Sequence, residues 1–330
     1  MAPPRTTNAP QHPSACGPLH PKRSIGIALD IANASLKELG ELGGDQIIVG
    51  EIDDKLTNLP SYRELYNRWE RQQWSTQDLD FSVDRQQWSE VPEEARPIWM
   101  SGLVVFFQGE VSVVNTLVPY IAAMATEEQR IFLTTQLVDE ARHATFFDKF
   151  FREALLMDGP DIEAILAQIR PLLRPSEREI LLEGLVEIAQ KIHDEPKNME
   201  YLVEGVTLYH IITEGTLAMA GQRNALNRNK RFGWYPGFQQ GFTAVARDES
   251  RHILFGVKFL RDMVQQNAAY ADVIRNTITR WMPQIRETLY LSEFQRALLV
   301  SFGEDPDEIT EFGMSSLRKK LKVIGVAHQF

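Results

Sequence analysis

Apolar side chains recur every three to four positions through most of the chain after residue 92. This spacing predicts amphipathic helices, because residues three and four apart share one face of a helix. Turn-like stretches separate the helices and no β-type alternation of useful length occurs, so we predict an all-α protein. Pro171 and Pro175 disturb the third long helix, and Pro283 is expected to kink the last. The long predicted helices cover residues 93–124, 127–157, 161–193, 197–227, 236–265 and 267–300, and a short amphipathic helix covers 24–44.

The predicted helices are long and the loops between them are short, which is typical of a helical bundle. The helices at 93–124 and 197–227 are apolar on nearly all sides, so we expect them at its centre. Gln108, Glu110 and Asn115 interrupt the most apolar stretch, which therefore does not resemble a membrane span. We divide the chain into a disordered leader (1–22), an N-terminal extension and lead-in segment (23–92), a helical domain (93–303) and a C-terminal tail (304–330).

The composition is that of a globular protein, since 43% of the 330 residues are hydrophobic and 24% are charged. The formal net charge of -10 argues against nucleic acid as the main partner, because nucleic-acid binding relies on a surplus of Lys and Arg. The single cysteine, Cys16, rules out a disulfide within the chain. This fits the reducing cytoplasm, where we expect the protein.

The pentapeptide D-E-x-R-H occurs twice, at residues 139–143 and 248–252. Residues three apart on a helix share a face, so each motif offers a carboxylate oxygen and an imidazole nitrogen to one metal ion. Two facing pairs leave two ions short of ligands, and a complete dinuclear site needs one more glutamate from each of two other helices. The alternative is that the motif glutamates are surface charges paired with Arg142 or Arg251.

Two further glutamates lie in the middle of apolar helices, Glu110 in FFQGEVSVVN and Glu214 in YHIITEGTLAMAG. A buried carboxylate without a counter-charge is costly, so these positions indicate bound cations. Glu204, on the same predicted helix, is the alternative to Glu214. Four carboxylates balance two divalent ions, and the donor types suit both Mn and Fe. The predicted metal ligands are Glu110, Glu140, His143, Glu214, Glu249 and His252.

Asp139 and Asp248 each precede a motif glutamate. A histidine that binds a metal ion usually donates its other N–H to a carboxylate, so we interpret each aspartate as the acceptor for a ligand histidine. The alternative is a solvated charge on the outer face of the helix. His210 has no ligand partner three or four residues away, and we interpret it as a packed core residue.

These residues resemble the ribonucleotide reductase small-subunit superfamily, a branch of the ferritin-like di-metal proteins. The resemblance runs from about residue 73 to 260. QWSTQDLDFSVDRQQW (73–88) is similar to the lead-in segment of the family, and ARDESRH (246–252) is similar to its last ligand helix. The order and types of the six ligands also match. The resemblance implies a ferritin-like helical bundle with a Mn/Fe or Fe/Fe centre in its core.

Within this superfamily, a reductase subunit usually stores a radical on a Tyr four residues after the first ligand histidine. Phe147 occupies that position here, although one subclass with Phe uses a manganese/iron pair. A reductase subunit also needs a redox-active Tyr in its C-terminal tail, and no Tyr follows Tyr290. A reductase small (beta) subunit without a tyrosyl radical is therefore an alternative, and a non-catalytic metal-storage protein is a second.

A second branch, the ligand-binding oxidases, has Val three residues after the first Glu ligand and Tyr five residues before the third, joined by an ether cross-link. Val113 and Tyr209 occupy these positions. On an ideal α-helix Tyr209 would lie about 140° from Glu214, so ideal geometry alone does not bring the phenol to Val113. The long Tyr side chain leans toward the helix N-terminus, and a local π-bulge would add the rest.

The resemblance to this second branch implies a dioxygen-activating oxidase that carries out a two-electron oxidation of a C–H bond. It also implies a hydrophobic ligand, such as a long-chain fatty acid, near the metals, and a homodimer, whereas the electron donor is unknown. Four phenylalanines either line the ligand pocket or belong to the core: Phe106, Phe107, Phe146 and Phe147.

Overall fold

The computed structural model describes residues 30–326, and every regular element in this range is a helix. The all-α prediction is therefore confirmed. The leader predicted at 1–22 lies outside the described residues, and the domain boundaries remain predictions. None of the described helices has both the length and the apolar character needed to cross a membrane.

The N-terminal part of the described chain consists of short helices. Ser35 and Ser61 begin two of them as capping boxes, each accepting a hydrogen bond from the backbone N–H three residues later. The prediction of a single helix at 24–44 is wrong for the residues that the structure describes. The chain forms a 3-10 turn at Ile31–Asn33, and a new helix starts after Ser35. The short helices are α1 (Leu36–Gly40), α2 (Gly44–Ile48), α3 (Asp54–Leu56), α4 (Tyr62–Arg71) and α5 (Ser82–Glu90).

The remainder of the chain contains the longer helices. Two π-helical stretches lie among them, at Glu179–Gly184 and at Thr207–Ala218, and we call the second the π segment. The helices are α6 (Arg96–Thr116), α7 (Val118–Ala123), α8 (Glu127–Glu153), α9 (Ile162–Ile169), α10 (Pro175–Arg178), α11 (Leu185–Asp194), α12 (Met199–Val206), α13 (Met219–Phe232), α14 (Pro236–Gln266), α15 (Tyr270–Leu289), α16 (Glu293–Ser301) and α17 (Glu308–Ile324).

Prolines explain several differences from the predicted boundaries. The helix predicted at 93–124 is interrupted at Leu117, because Pro119 has no N–H to donate to the preceding turn. The helix predicted at 161–193 is divided around Pro171 and Pro175 into separate short elements. The helix predicted at 267–300 is two helices, but here the break does not fall at a proline: Pro283 lies inside the first helix, and the second begins after its N-cap Ser292.

Four helical elements form the centre of the bundle: α6, α8, the π segment and α14. Helix α6 packs on α8, and α14 packs on both α8 and the π segment. Gly256 of α14 lies so close to His210 of the π segment that a Cβ at position 256 would overlap the histidine side chain. Helix α17 packs against α14 and the π segment, so the region predicted as a C-terminal tail contributes a helix with buried Leu317 and Leu321.

Candidate metal centre

Six side chains from the four central elements meet in the interior of the bundle. They form two groups of four, and within each group one ligand atom per residue lies within 4.8 Å of the others. Glu140 and Glu249 belong to both groups, as expected for carboxylates that bridge two ions. The first group is Glu110, Glu140, His143 and Glu249, and the second is Glu140, Glu214, Glu249 and His252.

The cluster carries more negative charge than its own protein surroundings balance. All four glutamates are at most 7% exposed. Burial raises the pKa of Glu110 and of Glu214 well above the ordinary value. The neighbouring glutamates raise it further, whereas His143 lowers that of Glu110 and His252 lowers that of Glu214. Oε2 of Glu214 and Oε2 of Glu249 make no hydrogen bond with any residue in the described range. The residues therefore fit two divalent cations, whose four positive charges would match four carboxylates.

Both histidines direct Nδ1 toward the glutamates and Nε2 away from them. His143 Nδ1 lies 3.3 Å from Glu110 Oε2 and 3.2 Å from Glu249 Oε1. His252 Nδ1 lies 3.2 Å from Glu140 Oε1 and 3.3 Å from Glu249 Oε2. Nδ1 is therefore the nitrogen of each histidine that is available to a metal ion. His143 offers it to the first ligand group, and His252 offers it to the second.

The two aspartates contact the histidines in a crossed arrangement. Asp248 Oδ2 lies 3.3 Å from His143 Nε2, and Asp139 Oδ2 lies 3.2 Å from His252 Nε2. Each aspartate therefore belongs to one D-E-x-R-H motif and contacts the histidine of the other motif. This geometry is that of a carboxylate accepting the second N–H of a ligand histidine. The solvated alternative is excluded by exposures of at most 1%.

Arginine and tryptophan side chains, which the sequence did not identify as part of the site, hold the aspartates. Arg251 Nη2 donates to both aspartates over 2.8 Å, and its side chain is only 1% exposed. Trp69 Nε1 donates to Asp139 over 3.0 Å, and Trp74 Nε1 donates to Asp248 over 2.8 Å. The repeated Arg of the motif was the available signal, but its partners are the aspartates and not the glutamates.

The charge of Asp248 is stabilised by these neighbours. Burial alone would raise the pKa of Asp248, but Arg251 and His143 outweigh this effect and hold the pKa well below the ordinary value. Arg142 adds a further contact at 3.1 Å to Asp139 and at 3.4 Å to Asp248. Two aspartates and two arginines therefore form a balanced layer behind the histidines.

The structure distinguishes Glu214 from Glu204, its alternative as a metal ligand. Glu214 joins the cluster, whereas Glu204 lies 3.4 Å from Arg280 Nη1 in an ion pair outside it. His210 is fully buried, and its Nε2 lies 3.2 Å from Gln136 Oε1. His210 belongs to neither ligand group, in agreement with its interpretation as a core residue.

The π segment brings Tyr209 and Glu214 to the same side of the backbone. Hydrogen bonding from residue i to residue i+5 widens each turn, so residues five apart share a face. Tyr209 Oη donates to Glu140 Oε1 over 2.6 Å. Gln136 Nε2 contacts Tyr209 Oη at 2.6 Å and Glu214 Oε1 at 3.2 Å. Gln136 lies one turn before Glu140 on α8, and its spacing alone gave no signal of this role.

An apolar cavity of about 610 Å³ adjoins the cluster, and all four glutamates line one end of it. Val113 lies in its wall, as does Phe106. Phe107, Phe146 and Phe147 are instead fully buried among other aromatic rings. A second cavity of about 220 Å³ lies beside the first, and Phe106 lines both.

A helical bundle that buries two Glu-x-x-His motifs together with two additional glutamates defines the class of ferritin-like proteins with dinuclear metal sites. The family model of the ribonucleotide reductase small chain matches residues 57–297, and the chain belongs to this family. The predicted resemblance is therefore confirmed.

Solved structures of R2-like ligand-binding oxidase variants share the fold. One variant with an anaerobically reconstituted Mn/Fe cofactor is 23% identical, with a TM-score of 0.70 over 82% of this chain and 94% of its own. A second such variant is also 23% identical, with a TM-score of 0.71 over the same shares. A variant with an aerobically reconstituted Mn/Fe cofactor is 22% identical, with a TM-score of 0.70 over 81% and 94%.

Proposed function

We propose that this chain is a dioxygen-activating oxidase with a dinuclear metal centre, which removes two electrons from a C–H bond of an apolar ligand. The observation that carries the proposal is the position of the cavity. The four glutamates of the cluster form one end of an apolar chamber of about 610 Å³, so a bound organic molecule would lie directly beside the ions. A storage site has no need of such a chamber.

The ligands divide naturally between two ions. Glu110 and His143 would hold one ion, Glu214 and His252 would hold the other, and Glu140 and Glu249 would bridge them. Carboxylate and imidazole donors suit both Mn and Fe, and the similar oxidase structures carry Mn/Fe. We therefore propose a Mn/Fe centre, with Fe/Fe as the alternative. When bound, the ions would supply the redox chemistry of dioxygen activation.

The cavity favours a long-chain fatty acid or a similar amphiphile as the ligand. Its walls are mainly aliphatic and aromatic side chains, including Val105, Leu181 and Leu217, which would exclude water from the chain of the ligand. A carboxylate headgroup would find its counter-charge at the metal end. Phe294 of α16 lines the cavity and is 56% exposed, which marks this part of the wall as the side facing solvent.

We further propose an ether bond between Val113 and Tyr209. The new bond would join Val113 Cβ to Tyr209 Oη, and it would replace one C–H bond and one O–H bond. The two hydrogens leave as two protons and two electrons, and dioxygen is the oxidant. Support comes from the location of Val113 in the cavity wall beside the cluster and from the contact of Tyr209 Oη with Glu140.

A homodimer in the cytoplasm completes the proposal. The outer face of α8 presents exposed, uncharged side chains at helical spacing, including Ile131 and Val138, which are 47% and 48% exposed. An uncharged face on a helix that carries metal ligands fits self-association better than it fits solvent. Sedimentation of the full chain and of Val138→Glu tests this point, since the substitution should shift a dimer toward monomers.

The oxidase proposal is tested with metal-free protein loaded anaerobically with Mn(II) and Fe(II). We expect two ions per chain, followed by dioxygen consumption when air is admitted, and co-purified fatty acid in the lipid extract. Glu214→Gln should lose at least one ion. Glu204→Gln is the matched control, because Glu204 precedes the same π segment but pairs with Arg280, and it should retain both ions. A single zinc ion, or equal metal content in both variants, would contradict the proposal.

A further inference from the structure

The C-terminal end of the π segment leaves one backbone carbonyl without a partner inside the helix. The N–H of Met219 bonds to the carbonyls of Glu214 and Thr216, and passes over the carbonyl of Gly215 between them. Helix α13 begins at Met219. In an α-helix each N–H bonds to the carbonyl four residues back, so the next N–H, that of Ala220, is expected to reach Thr216 and not Gly215. A change from i+5 to i+4 bonding skips one acceptor, and here that acceptor is Gly215.

Helix α17 supplies the missing donor. Lys320 Nζ donates to the Gly215 carbonyl oxygen over 2.6 Å, and Ser316 Oγ lies 3.4 Å from the same oxygen. Lys320 also hydrogen-bonds to Ser316 Oγ. Gly215 permits this approach, because a Cβ there would stand 3.0 Å from Lys320 Cε and 2.8 Å from the His210 carbonyl oxygen.

The burial of Lys320 is otherwise unexplained by its surroundings. Its side chain is 0% exposed, and its hydrogen-bond partners in the described chain are the Gly215 carbonyl, Ser316 Oγ and Met219 Sδ. Lysines are almost never fully buried unless they are paired with a charge. Burial lowers the pKa of Lys320 to about 7. A lysine side chain buried in this position at such a cost indicates that the carbonyl needs a donor.

We propose that Lys320 is a positioning residue for the metal centre: its bond to the Gly215 carbonyl holds the π segment in its i+5 register and so keeps Tyr209 and Glu214 on the face that meets the cluster. In an α-helical register the two side chains would diverge by about 140°. The inference rests on the proposed function in one respect, namely that Glu214 is a metal ligand.

Two threonines of the π segment support the same register from within. Thr213 Oγ1 donates to the Leu208 carbonyl over 2.9 Å, and Thr216 Oγ1 donates to the Ile211 carbonyl over 2.7 Å, each five residues back. These bonds are internal to the segment. The bond from Lys320 comes from a separate helix, so it couples the packing of α17 to the position of a metal ligand.

The test uses the full chain with three substitutions. Lys320→Met keeps the length of the side chain without a donor, Lys320→Gln keeps a neutral N–H donor, and Lys322→Met removes an exposed lysine from the same helix. Anaerobic titration with Mn(II) alone, followed by electron paramagnetic resonance, measures the two binding steps. Amide hydrogen exchange over residues 213–220 measures how strongly the backbone N–H groups of the segment are protected, and this protection falls when the hydrogen bonding of the segment is disturbed.

For Lys320→Met we expect one Mn(II) ion to bind as in the wild type and the ion held by Glu214 and His252 to bind roughly 10–100-fold more weakly, the loss typical of disturbed support around a ligand. Exchange of the amides at 216–220 should become faster. Lys320→Gln should recover most of both losses, and Lys322→Met should behave as the wild type. Unchanged binding and exchange in Lys320→Met would overturn the inference.

The outcomes separate this inference from the proposed function. If the wild type binds fewer than two Mn(II) ions, the dinuclear proposal fails, while the exchange rates in Lys320→Met and Lys320→Gln still decide the role of Lys320. If Lys320→Met does not fold, Ser316→Ala takes its place, because it removes the weaker contact to Gly215 together with the hydroxyl that hydrogen-bonds to Lys320 Nζ. Ser316→Ala should also weaken Mn(II) binding at the position of Glu214 and speed amide exchange at 216–220, each by a smaller factor than Lys320→Met. Unchanged Mn(II) binding and exchange would overturn the inference.

Discussion

The hydroxyl of Tyr209 donates a 2.6 Å hydrogen bond to Oε1 of Glu140, one of the two glutamates shared by both ligand groups. Gln136 Nε2 donates to the same hydroxyl over 2.6 Å. Burial raises the pKa of Tyr209 well above its ordinary value, and the negative charge of Glu140 raises it further. The phenol therefore keeps its proton at neutral pH and stands beside the side chain that two ions would share.

The position of Tyr209 leads to a prediction about covalent chemistry. After anaerobic metal loading and exposure to dioxygen, the chain should lose two hydrogens, and the tryptic peptides with Val113 and Tyr209 should run as one branched species in mass spectrometry. Tyr209→Phe should abolish this species while the metals stay bound. Tyr120→Phe is the control, because Tyr120 is a buried tyrosine whose ring lies 6.2 Å from that of Tyr209. Separate, unmodified peptides after full oxidation would contradict the cross-link.

Because each aspartate contacts a different ligand histidine, substituting one aspartate should weaken metal binding at one position only. Asp139→Asn should weaken binding at the position of His252, and Asp248→Asn should weaken binding at the position of His143, each by roughly 10–100-fold. The reason is that the amide no longer accepts the histidine N–H as a charged carboxylate does. Titration with Mn(II), followed by the crystallographic occupancy of each position, checks this pairing. Loss at the histidine of the same motif would show that the crossed contacts have no effect on binding.

Phe106 is predicted to limit the length of the bound ligand, because its ring lines both the large cavity and the smaller one. Phe106→Ala should join the two spaces and shift the co-purified fatty acids toward longer chains, as measured by mass spectrometry of lipid extracts. Gly102→Leu should act in the opposite direction. A Cβ at Gly102 would meet nothing within 4 Å, so the larger side chain fits the fold and fills the cavity. An unchanged distribution of chain lengths in both variants would contradict this role.

The buried Lys320 should make stability depend on pH. Its pKa lies at about 7, against 10.5 for an exposed lysine, because burial disfavours the charge, with Asp53 raising and Lys319 lowering the pKa. Between these values the unfolded chain holds a proton that the folded chain has released, so the free energy of unfolding rises with pH. Relative to Lys320→Met, the wild type should gain about 2 kcal/mol from roughly pH 7 to 9. Urea denaturation of both metal-free proteins measures this, and a constant difference across the range would contradict it.

The sequence predicted the parts of the site that depend on local spacing. Glu140 and His143 share a helix face by geometry alone, and Glu110 and Glu214 were recognisable because a lone carboxylate in an apolar helix requires a counter-charge. The helical class followed from the same periodicity. These features need only the chain within one or two turns of each residue.

The features that were missed depend on packing between distant segments. Lys320 reaches Gly215 across 105 positions, and Arg251 reaches Asp139 across 112. The helix of α17 and the full extent of the π segment were not predicted, since an unusual register is stabilised by partners on other helices rather than by local propensity. The spacing of five residues between Tyr209 and Glu214 conflicts with an ideal helix, and a local π-bulge was suggested only as an addition to the lean of the Tyr209 side chain.

The most direct test of the dinuclear centre is a crystal structure of the metal-loaded chain with anomalous diffraction recorded at the Mn and Fe absorption edges. We predict two anomalous peaks per chain, one among Glu110, Glu140, His143 and Glu249 and the other among Glu140, Glu214, Glu249 and His252. Density for an elongated apolar molecule should fill the adjoining cavity. A single peak, a peak from zinc alone, or metal bound away from these six side chains would contradict the account.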